Sequence, residues 1–129
     1  MNPEKRKILI IDDSSTNVLL LQDILEEFGY KAVIKSDSKE ALKCVPEEMP
    51  DLILLDIMMP GLSGLKFLEK ISQIDKIKNI PVIMVTAKND NESKQKAKEF
   101  GAVDYIVKPI SVEDIIDRVD KALAKVGKA

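Results

Sequence analysis

Three aspartates directly follow two of the most apolar segments of the chain. Asp12 and Asp13 come after Ile8–Ile11, and Asp56 comes after Leu52–Leu55. If the two segments are adjacent strands of a parallel sheet, their carboxyl ends lie at the same edge and the three carboxylates meet there. Each close pair then costs about 3 kcal/mol at ~5 Å and an effective dielectric constant of ~20. The sequence therefore predicts a cation at this edge, and the hard oxygen donors favour Mg²⁺.

Two more polar residues end apolar segments in the same way. Thr86 follows Val82–Val85, and Lys108 follows Val103–Val107. They would add a hydroxyl and a fixed positive charge to the acidic edge, which would then suit an anionic group. Carboxylates, a divalent cation, a lysine and a hydroxyl together indicate phosphoryl transfer, in which positioning and charge neutralisation carry the catalysis.

Each of these residues has a simpler explanation when it is taken alone. Asp12 and Asp13, together with Ser14, could cap a helix, and Asp56 could be a turn residue that ends a strand. An isolated threonine or lysine at a strand end is more often an ordinary surface residue. The expected meeting of all of them at one edge favours the functional interpretation.

The pattern of apolar residues predicts the elements that position this site. Four apolar segments are continuous rather than alternating, which is typical of parallel strands covered on both faces. They are Ile8–Ile11, Leu52–Leu55, Val82–Val85 and Val103–Val107, and a weaker one is Ala32–Ile34. Strand and helix alternate five times, and the most polar-interrupted strands belong at the edges. This predicts a flavodoxin-like α/β fold, a doubly wound (βα)5 sheet of five parallel strands in the order 2-1-3-4-5.

The helical segments differ in how much apolar surface they carry. Leu21, Leu25 and Phe28 fit one face of the first helix, just before a glycine that ends it. The stretch from Asp90 to Phe100 has few apolar residues and is expected to be thinly anchored, which permits motion. The last helix is the clearest, because its apolar residues repeat with a period of 3.6 after Ser111, which can cap it. Those apolar residues are Val112, Ile115, Ile116, Val119, Ala122, Leu123 and Val126.

The composition restricts the function further. The 129 residues indicate one domain over residues 1–129. The net charge of −2 argues against nucleic-acid binding, since no basic excess exists to neutralise phosphates. The absence of histidine excludes histidine acid–base and metal chemistry. The single cysteine, Cys44, predicts a reducing compartment. Because no segment is long and apolar enough for a membrane span or a signal peptide, we expect a cytoplasmic protein.

The ends of the predicted strands carry a set of sequence motifs. They are Ile10-Ile11-Asp12-Asp13-Ser14, Leu54-Leu55-Asp56-Ile57-Met58-Met59-Pro60-Gly61 with Gly64, Val85-Thr86-Ala87, and Gly101-Ala102 followed by Tyr105-Ile106-Val107-Lys108-Pro109-Ile110. In this order they resemble the motifs of the response-regulator receiver family of two-component (phosphorelay) signalling systems. The likeness covers nearly the whole chain, and the motifs together are highly specific.

This resemblance implies roles for the acidic residues. Asp56 would be the phosphoacceptor. Asp13 and Asp56 would bind Mg²⁺ directly, with the backbone carbonyl of Met58 as a third protein ligand. Asp12 would act on the cation mainly through water.

The resemblance also implies a switch. Thr86 would hydrogen-bond the phosphoryl group, Lys108 would pair with its negative charge, and Pro109 would follow a cis peptide bond. As Thr86 moves toward the phosphoryl group, the ring of Tyr105 would turn in beneath the helix that begins near Asp90. A local change of charge would then bias a two-state surface.

The partners that the family implies are proteins. The donor would be a phosphohistidine on a sensor histidine kinase or a histidine phosphotransfer protein, and a downstream protein would bind the surface from Asp90 to Lys121. The chain would be a signalling acceptor and no enzyme with a separate substrate, a monomer or weak dimer that binds neither nucleic acid nor a membrane. We expect no output domain in this chain, which is either a stand-alone regulator or the receiver segment of a longer protein.

Three alternatives compete with this interpretation. An aspartate-nucleophile phosphatase or dehalogenase needs a second aspartate two places after the nucleophile, where this chain has Met58. A flavodoxin-like FMN carrier needs a phosphate cradle after the first strand, where Asp12 and Asp13 would repel the phosphate. A receiver-like interaction module that is not regulated by phosphorylation is the third, although all the motif residues are present.

Overall fold

The computed structural model describes residues 5–59 and 61–126, the last two of them without their side chains. Within these residues, five strands alternate with five helices. Their bounds are β1 Lys7–Ile11, α1 Ser15–Glu27, β2 Lys31–Lys35, α2 Ser38–Glu48, β3 Leu52–Leu55, α3 Gly64–Ile71, β4 Val82–Thr86, α4 Asn91–Glu99, β5 Asp104–Val107 and α5 Val112–Val126.

The five strands form one parallel sheet in the order β2-β1-β3-β4-β5. The fold class and strand order predicted from the sequence are therefore confirmed. The register pairs Ile11 with Leu55, so that β1 and β3 end side by side. All five carboxyl ends share one edge of the sheet, and this edge carries the site.

Helices cover both faces of the sheet and form two apolar layers. Alternate residues of β1, β3 and β4 pack on α1 and α5 on one face, and the intervening residues pack on α2, α3 and α4 on the other. Every residue of β3 and β4 is buried, which explains why these segments are continuously apolar. The edge strands β2 and β5 are mostly half-buried, as the polar residues in them predicted.

The helix termini follow from side chains that accept backbone hydrogen bonds. Ser14 caps α1, Ser63 caps α3 and Asp90 caps α4. The Oγ of Ser111 accepts from the N–H of Asp114 at the start of α5, which confirms the predicted cap. The termini of these helices are thereby fixed at the same edge of the sheet as the acidic residues.

Helix α4 is the most weakly anchored helix among those described. It buries only Ser93 and Ala97, and the rest of it is polar and exposed. This agrees with the thin anchoring expected for the stretch from Asp90 to Phe100. An element with so few buried contacts is a candidate for motion.

Three apolar residues lie in more exposed positions than the sequence pattern indicated. Phe28 is the C-cap of α1, beyond its last turn, and is 51% exposed. Val103 precedes β5, which begins at Asp104, and is 56% exposed. Val112 is the first residue of α5 and is 44% exposed. No helix in the described part of the chain is long and apolar enough to cross a bilayer.

Candidate functional site

The carboxylates of Asp12, Asp13 and Asp56 meet at the carboxyl edge of the sheet. One oxygen from each lies within 4.8 Å of the others. The backbone N–H of Asp56 donates to the carbonyl of Ile11 at 3.0 Å, which ties the two strand ends together. Asp12 is 2% exposed and Asp56 is 6% exposed, whereas Asp13 is exposed. The site is therefore a cluster of negative charges with two buried members and one open side.

Lys108 reaches into this cluster from the end of β5. Its Nζ lies 2.9 Å from Oδ2 of Asp12 and 3.3 Å from Oδ2 of Asp56. The peptide bond from Lys108 to Pro109 is cis, as the motif implied. One ammonium group among three carboxylates leaves the cluster with an excess of negative charge.

The environment of Asp12 disfavours the charged form of its carboxyl group. Burial raises the pKa of Asp12 above its ordinary value of 3.8, and the charge of Asp56 adds to the rise. The N–H of Ser14, which donates to Oδ1 at 2.9 Å, and the ammonium of Lys108 lower the pKa without cancelling the effect of burial. A cation at this position would favour the ionised form.

The donor set fits Mg²⁺. All the side-chain donors are carboxylate oxygens, which hard cations prefer over nitrogen or sulfur ligands. Octahedral Mg²⁺ places its oxygen ligands at about 2.1 Å, so that ligand oxygens lie roughly 3 to 4 Å apart. The three aspartates come within 4.8 Å of one another, and the exposed side at Asp13 leaves room for water ligands. The backbone N–H of Met58 donates to Oδ1 of Asp56 at 3.3 Å. That the backbone carbonyl of Met58 binds the metal stays a prediction.

Thr86 is the last residue of β4 and is completely buried. The register pairs it with Val107, the residue before Lys108, so its hydroxyl lies on the same edge as the ammonium group. Its Oγ1 accepts from the N–H of Lys88 at 3.4 Å. The hydroxyl is thus bonded to the loop that leads into α4.

Tyr105 is bonded to the same residue of that loop. Its hydroxyl donates to the backbone carbonyl of Lys88 at 2.8 Å, and burial raises its pKa. The Nζ of Lys94 lies 5.9 Å from the centroid of its ring. Lys88 therefore connects the two residues expected to switch, through its N–H to Thr86 and its carbonyl to Tyr105.

The sequence analysis did not predict the packing role of Gly64. A Cβ at this position would lie 2.0 Å from the carbonyl oxygen of Asp56, and the N–H of Gly64 donates to the carbonyl of Ile57 at 2.9 Å. Only glycine permits this approach of α3 to the strand end. Gly64 belongs to the family motif, but a close backbone approach leaves no signal in spacing or periodicity.

Comparisons with known proteins agree with this geometry. Residues 8–120 match the family described as response regulator receiver domain. The alkaline phosphatase synthesis transcriptional regulatory protein PhoP of Bacillus subtilis (strain 168) is 41% identical over 120 residues, which cover 93% of this chain and 49% of that protein. Sporulation initiation phosphotransferase F of the same organism is 38% identical over 117 residues, which cover 91% of this chain and 93% of that protein.

Solved structures show the same likeness. A putative response regulator from Chloroflexus aurantiacus J-10-fl has a TM-score of 0.89 at 31% identity, covering 93% of this chain and 98% of that one. The receiver domain of Francisella response regulator 1452 has a TM-score of 0.87 at 32% identity, covering 96% of this chain and 100% of that one. The chain spans about half the length of the first curated relatives that it matches.

Fold and site together define a doubly wound α/β protein with an acidic, lysine-bearing site at the switch point of its sheet. The chain belongs to the response regulator receiver domain family of two-component systems. The resemblance seen in its motifs is thereby confirmed.

Proposed function

We propose that Asp56 accepts a phosphoryl group from a phosphohistidine in a Mg²⁺-dependent reaction. The observation that carries the proposal is the meeting of Asp12, Asp13 and Asp56 with the ammonium of Lys108 at one edge of the sheet. This arrangement provides an oxygen nucleophile, ligands for a divalent cation and a fixed positive charge for an anionic group.

In the proposed reaction an oxygen of Asp56 attacks the phosphorus of the donor. The new P–O bond forms as the P–N bond to the donor's imidazole breaks, and the leaving nitrogen keeps the electron pair and takes a proton from water. Lys108 stays beside Asp56 and offsets the charge of the incoming phosphoryl group. Asp13, Asp56 and the Met58 carbonyl would hold Mg²⁺ directly, and Asp12 would hold it through water. The cation would supply positive charge that offsets the charge of the phosphoryl group.

The donor would be a phosphohistidine on a sensor histidine kinase or a histidine phosphotransfer protein, since residues 1–129 contain no histidine. Residues 1–129 would form a single receiver domain that acts as monomer or weak dimer and turns over no separate substrate. The buried free thiol of Cys44 suits the reducing cytoplasm, where we place this reaction.

Phosphorylation would change the conformation of the face formed by α4, β5 and α5, and the backbone of Lys88 would transmit the change. When Thr86 turns its hydroxyl to a phosphoryl oxygen, the N–H of Lys88 loses its acceptor and the loop before α4 shifts. The shift changes the partner of the Tyr105 hydroxyl, which the same residue binds. Because α4 is thinly anchored, a small change suffices to alter the α4-β5-α5 face and thereby the binding of a downstream protein.

Phosphoramidate tests the proposal directly, because it presents a P–N bond without any partner protein. The wild type should gain one phosphoryl group in intact-mass measurements when Mg²⁺ is present and none in excess chelator. Asp56→Asn should gain none, whereas Asp75→Asn, at a position with a 94% exposed side chain, should react like the wild type. Labelling that survives in Asp56→Asn contradicts the assignment. An unlabelled wild type would instead support an interaction module that phosphorylation does not regulate.

A further inference from the structure

Ser38 is a buried polar residue outside the acidic cluster. It is the first residue of α2 and is 1% exposed. Its hydroxyl donates to the backbone carbonyl of Leu62 at 2.6 Å, in the loop between β3 and α3. A buried hydroxyl needs a hydrogen-bond partner, and this one finds its partner in the loop that follows Asp56.

The hydroxyl of Ser38 is free to donate to the loop because the preceding residue caps the helix. Asp37 is the N-cap of α2, and its Oδ1 accepts from the N–H of Lys39 at 2.8 Å and of Glu40 at 3.4 Å. A serine at a helix start often bonds to the backbone of its own helix instead. Since Asp37 takes that role here, the hydroxyl of Ser38 joins α2 to a second element.

The start of α2 lies at the same edge of the sheet as the acidic cluster. The N–H of Asp12 donates at 3.3 Å to the carbonyl of Lys35, which is the last residue of β2. Helix α2 begins at Ser38, shortly after this strand ends. The first turn of α2 is thereby placed within reach of the loop that leaves β3.

The loop between β3 and α3 is otherwise bonded mainly to itself. The carbonyl of Ile57 accepts from the N–H of Met59 at 3.1 Å and from the N–H of Gly64 at 2.9 Å. Within the described residues, the bond from Ser38 to Leu62 is the one hydrogen bond found between this loop and a helix other than α3. It therefore fixes the far side of the loop, which the bonds to Ile57 do not reach.

The same loop carries the backbone carbonyl of Met58, which the proposed function makes a direct ligand of Mg²⁺. The side chain of Met58 is 59% exposed, so its packing does little to hold the backbone at this position. Mg²⁺ demands near-ideal octahedral geometry from its ligands. The affinity of the site for Mg²⁺ should therefore depend on how firmly the rest of the loop is held.

We propose that Ser38 is a positioning residue for the cation site, whose hydroxyl holds the loop in the conformation that presents the Met58 carbonyl. The inference deepens the proposed function and rests on it, since it concerns how the same site binds Mg²⁺. Without the hydroxyl, the loop occupies this conformation for a smaller fraction of the time. The apparent affinity for Mg²⁺ falls in proportion to that fraction.

Ser38→Ala tests the proposal, because it removes the hydroxyl and keeps a good helix former. Titration calorimetry with MgCl₂ on the unphosphorylated protein should show binding roughly threefold to tenfold weaker than in the wild type, as expected from the loss of one hydrogen bond. Labelling by phosphoramidate should require a correspondingly higher Mg²⁺ concentration and reach the wild-type rate at saturation. General damage to the structure would lower the saturated rate as well.

Ser72→Ala is the matched control. The hydroxyl of Ser72 also donates to a backbone carbonyl at 2.6 Å, that of Glu69, but Ser72 is exposed at the opposite end of α3. Its replacement should leave the affinity for Mg²⁺ unchanged. Equal affinity of the wild type and Ser38→Ala, an equal loss in Ser72→Ala, or a reduced rate of Ser38→Ala at saturating Mg²⁺ overturns the proposal.

Hydrogen exchange followed by NMR in excess chelator observes the loop without the cation. The N–H of Gly64, which closes the loop, should exchange faster in Ser38→Ala than in the wild type. The N–H of Asp56, which donates to Ile11 at 3.0 Å within the sheet, should exchange at the same rate in both proteins. Unchanged exchange at Gly64 contradicts the role of Ser38 in holding the loop.

These measurements separate the inference from the proposed function. If the wild type binds Mg²⁺ and is labelled at Asp56, but Ser38→Ala binds Mg²⁺ equally well, the inference about Ser38 alone fails. If the wild type neither binds Mg²⁺ nor is labelled, the proposed function fails and the inference falls with it.

Discussion

Replacing Lys108 by glutamine removes the one cation that the described structure places among the three carboxylates. At 2.9 Å from Asp12 and 3.3 Å from Asp56, the ammonium gains about 5–6 kcal/mol of direct attraction from each at an effective dielectric constant of ~20. Desolvation of the buried charges offsets much of this. Removal of one partner from a buried ion pair typically costs about 3–5 kcal/mol, and we expect Lys108→Gln to lose this amount of unfolding free energy without metal.

Urea denaturation in excess chelator measures this loss. The variant should remain folded, because a domain of this size has about 5–15 kcal/mol of stability. Addition of Mg²⁺ should stabilise Lys108→Gln more than the wild type, because the cation no longer competes with an ammonium group for the carboxylates. Lys76→Gln, at an exposed position, should change stability by less than about 0.5 kcal/mol. Equal stability of Lys108→Gln and wild type in chelator, or equal stabilisation by Mg²⁺, would refute the electrostatic reasoning.

Three further predictions concern packing, backbone strain and titration. Gly64→Ala should lower the unfolding free energy measured in urea by about 1–3 kcal/mol, because the added Cβ would lie 2.0 Å from the carbonyl oxygen of Asp56. The same clash should slow labelling of Asp56 by phosphoramidate. A variant that is as stable and as reactive as the wild type would contradict this prediction. Met49 ends α2 in the left-handed region, at φ 45°, where a side chain causes strain. Met49→Gly should raise the unfolding free energy by about 0.5–1 kcal/mol, because the relief of this strain exceeds the entropy that glycine adds to the unfolded chain. A loss of stability in urea would argue against this prediction. Burial and the carboxylate of Asp120 raise the pKa of Tyr30 from 10.0 to about 12. Its neutral form is favoured in the folded state, so the unfolded state loses its proton first and stability should fall between pH 10 and 12. Tyr30→Phe should flatten this part of a urea-stability profile against pH, and an unchanged slope would count against the shift.

The sheet could be predicted because the burial of each strand determines the pattern of apolar residues within that strand's own segment. Segments such as Leu52–Leu55 are apolar throughout because helices cover both faces, and the polar residues that interrupt β2 and β5 correctly placed these strands at the edges. The start of β5 was less certain. Val103 reads as part of an apolar run, although it lies outside the strand and is exposed.

Helix ends could be predicted only where a side chain caps them. Ser111 caps α5 as expected. Phe28 continues the apolar period of α1, but the helix has already ended at Glu27 and the ring faces outward. Periodicity describes a helix that continues, and it contains no information about where tertiary packing stops.

The site was predictable as far as strand ends determine it. The meeting of Asp12, Asp13 and Asp56 follows from the strand order alone. The approach of Gly64 to Asp56 and the bridge from Thr86 to Tyr105 through Lys88 depend on backbone positions in two loops. No pattern of residue types in the sequence encodes such distances.

The central claim is that one particular carboxylate forms an acyl phosphate. Borohydride reduces an aspartyl phosphate to homoserine, and peptide mass spectrometry then locates the reduced residue. After incubation with phosphoramidate and Mg²⁺, the account predicts homoserine at position 56 and unmodified aspartate at positions 12 and 13. Homoserine at another position, or a stable phosphate on a serine or threonine with Asp56 unchanged, would contradict it.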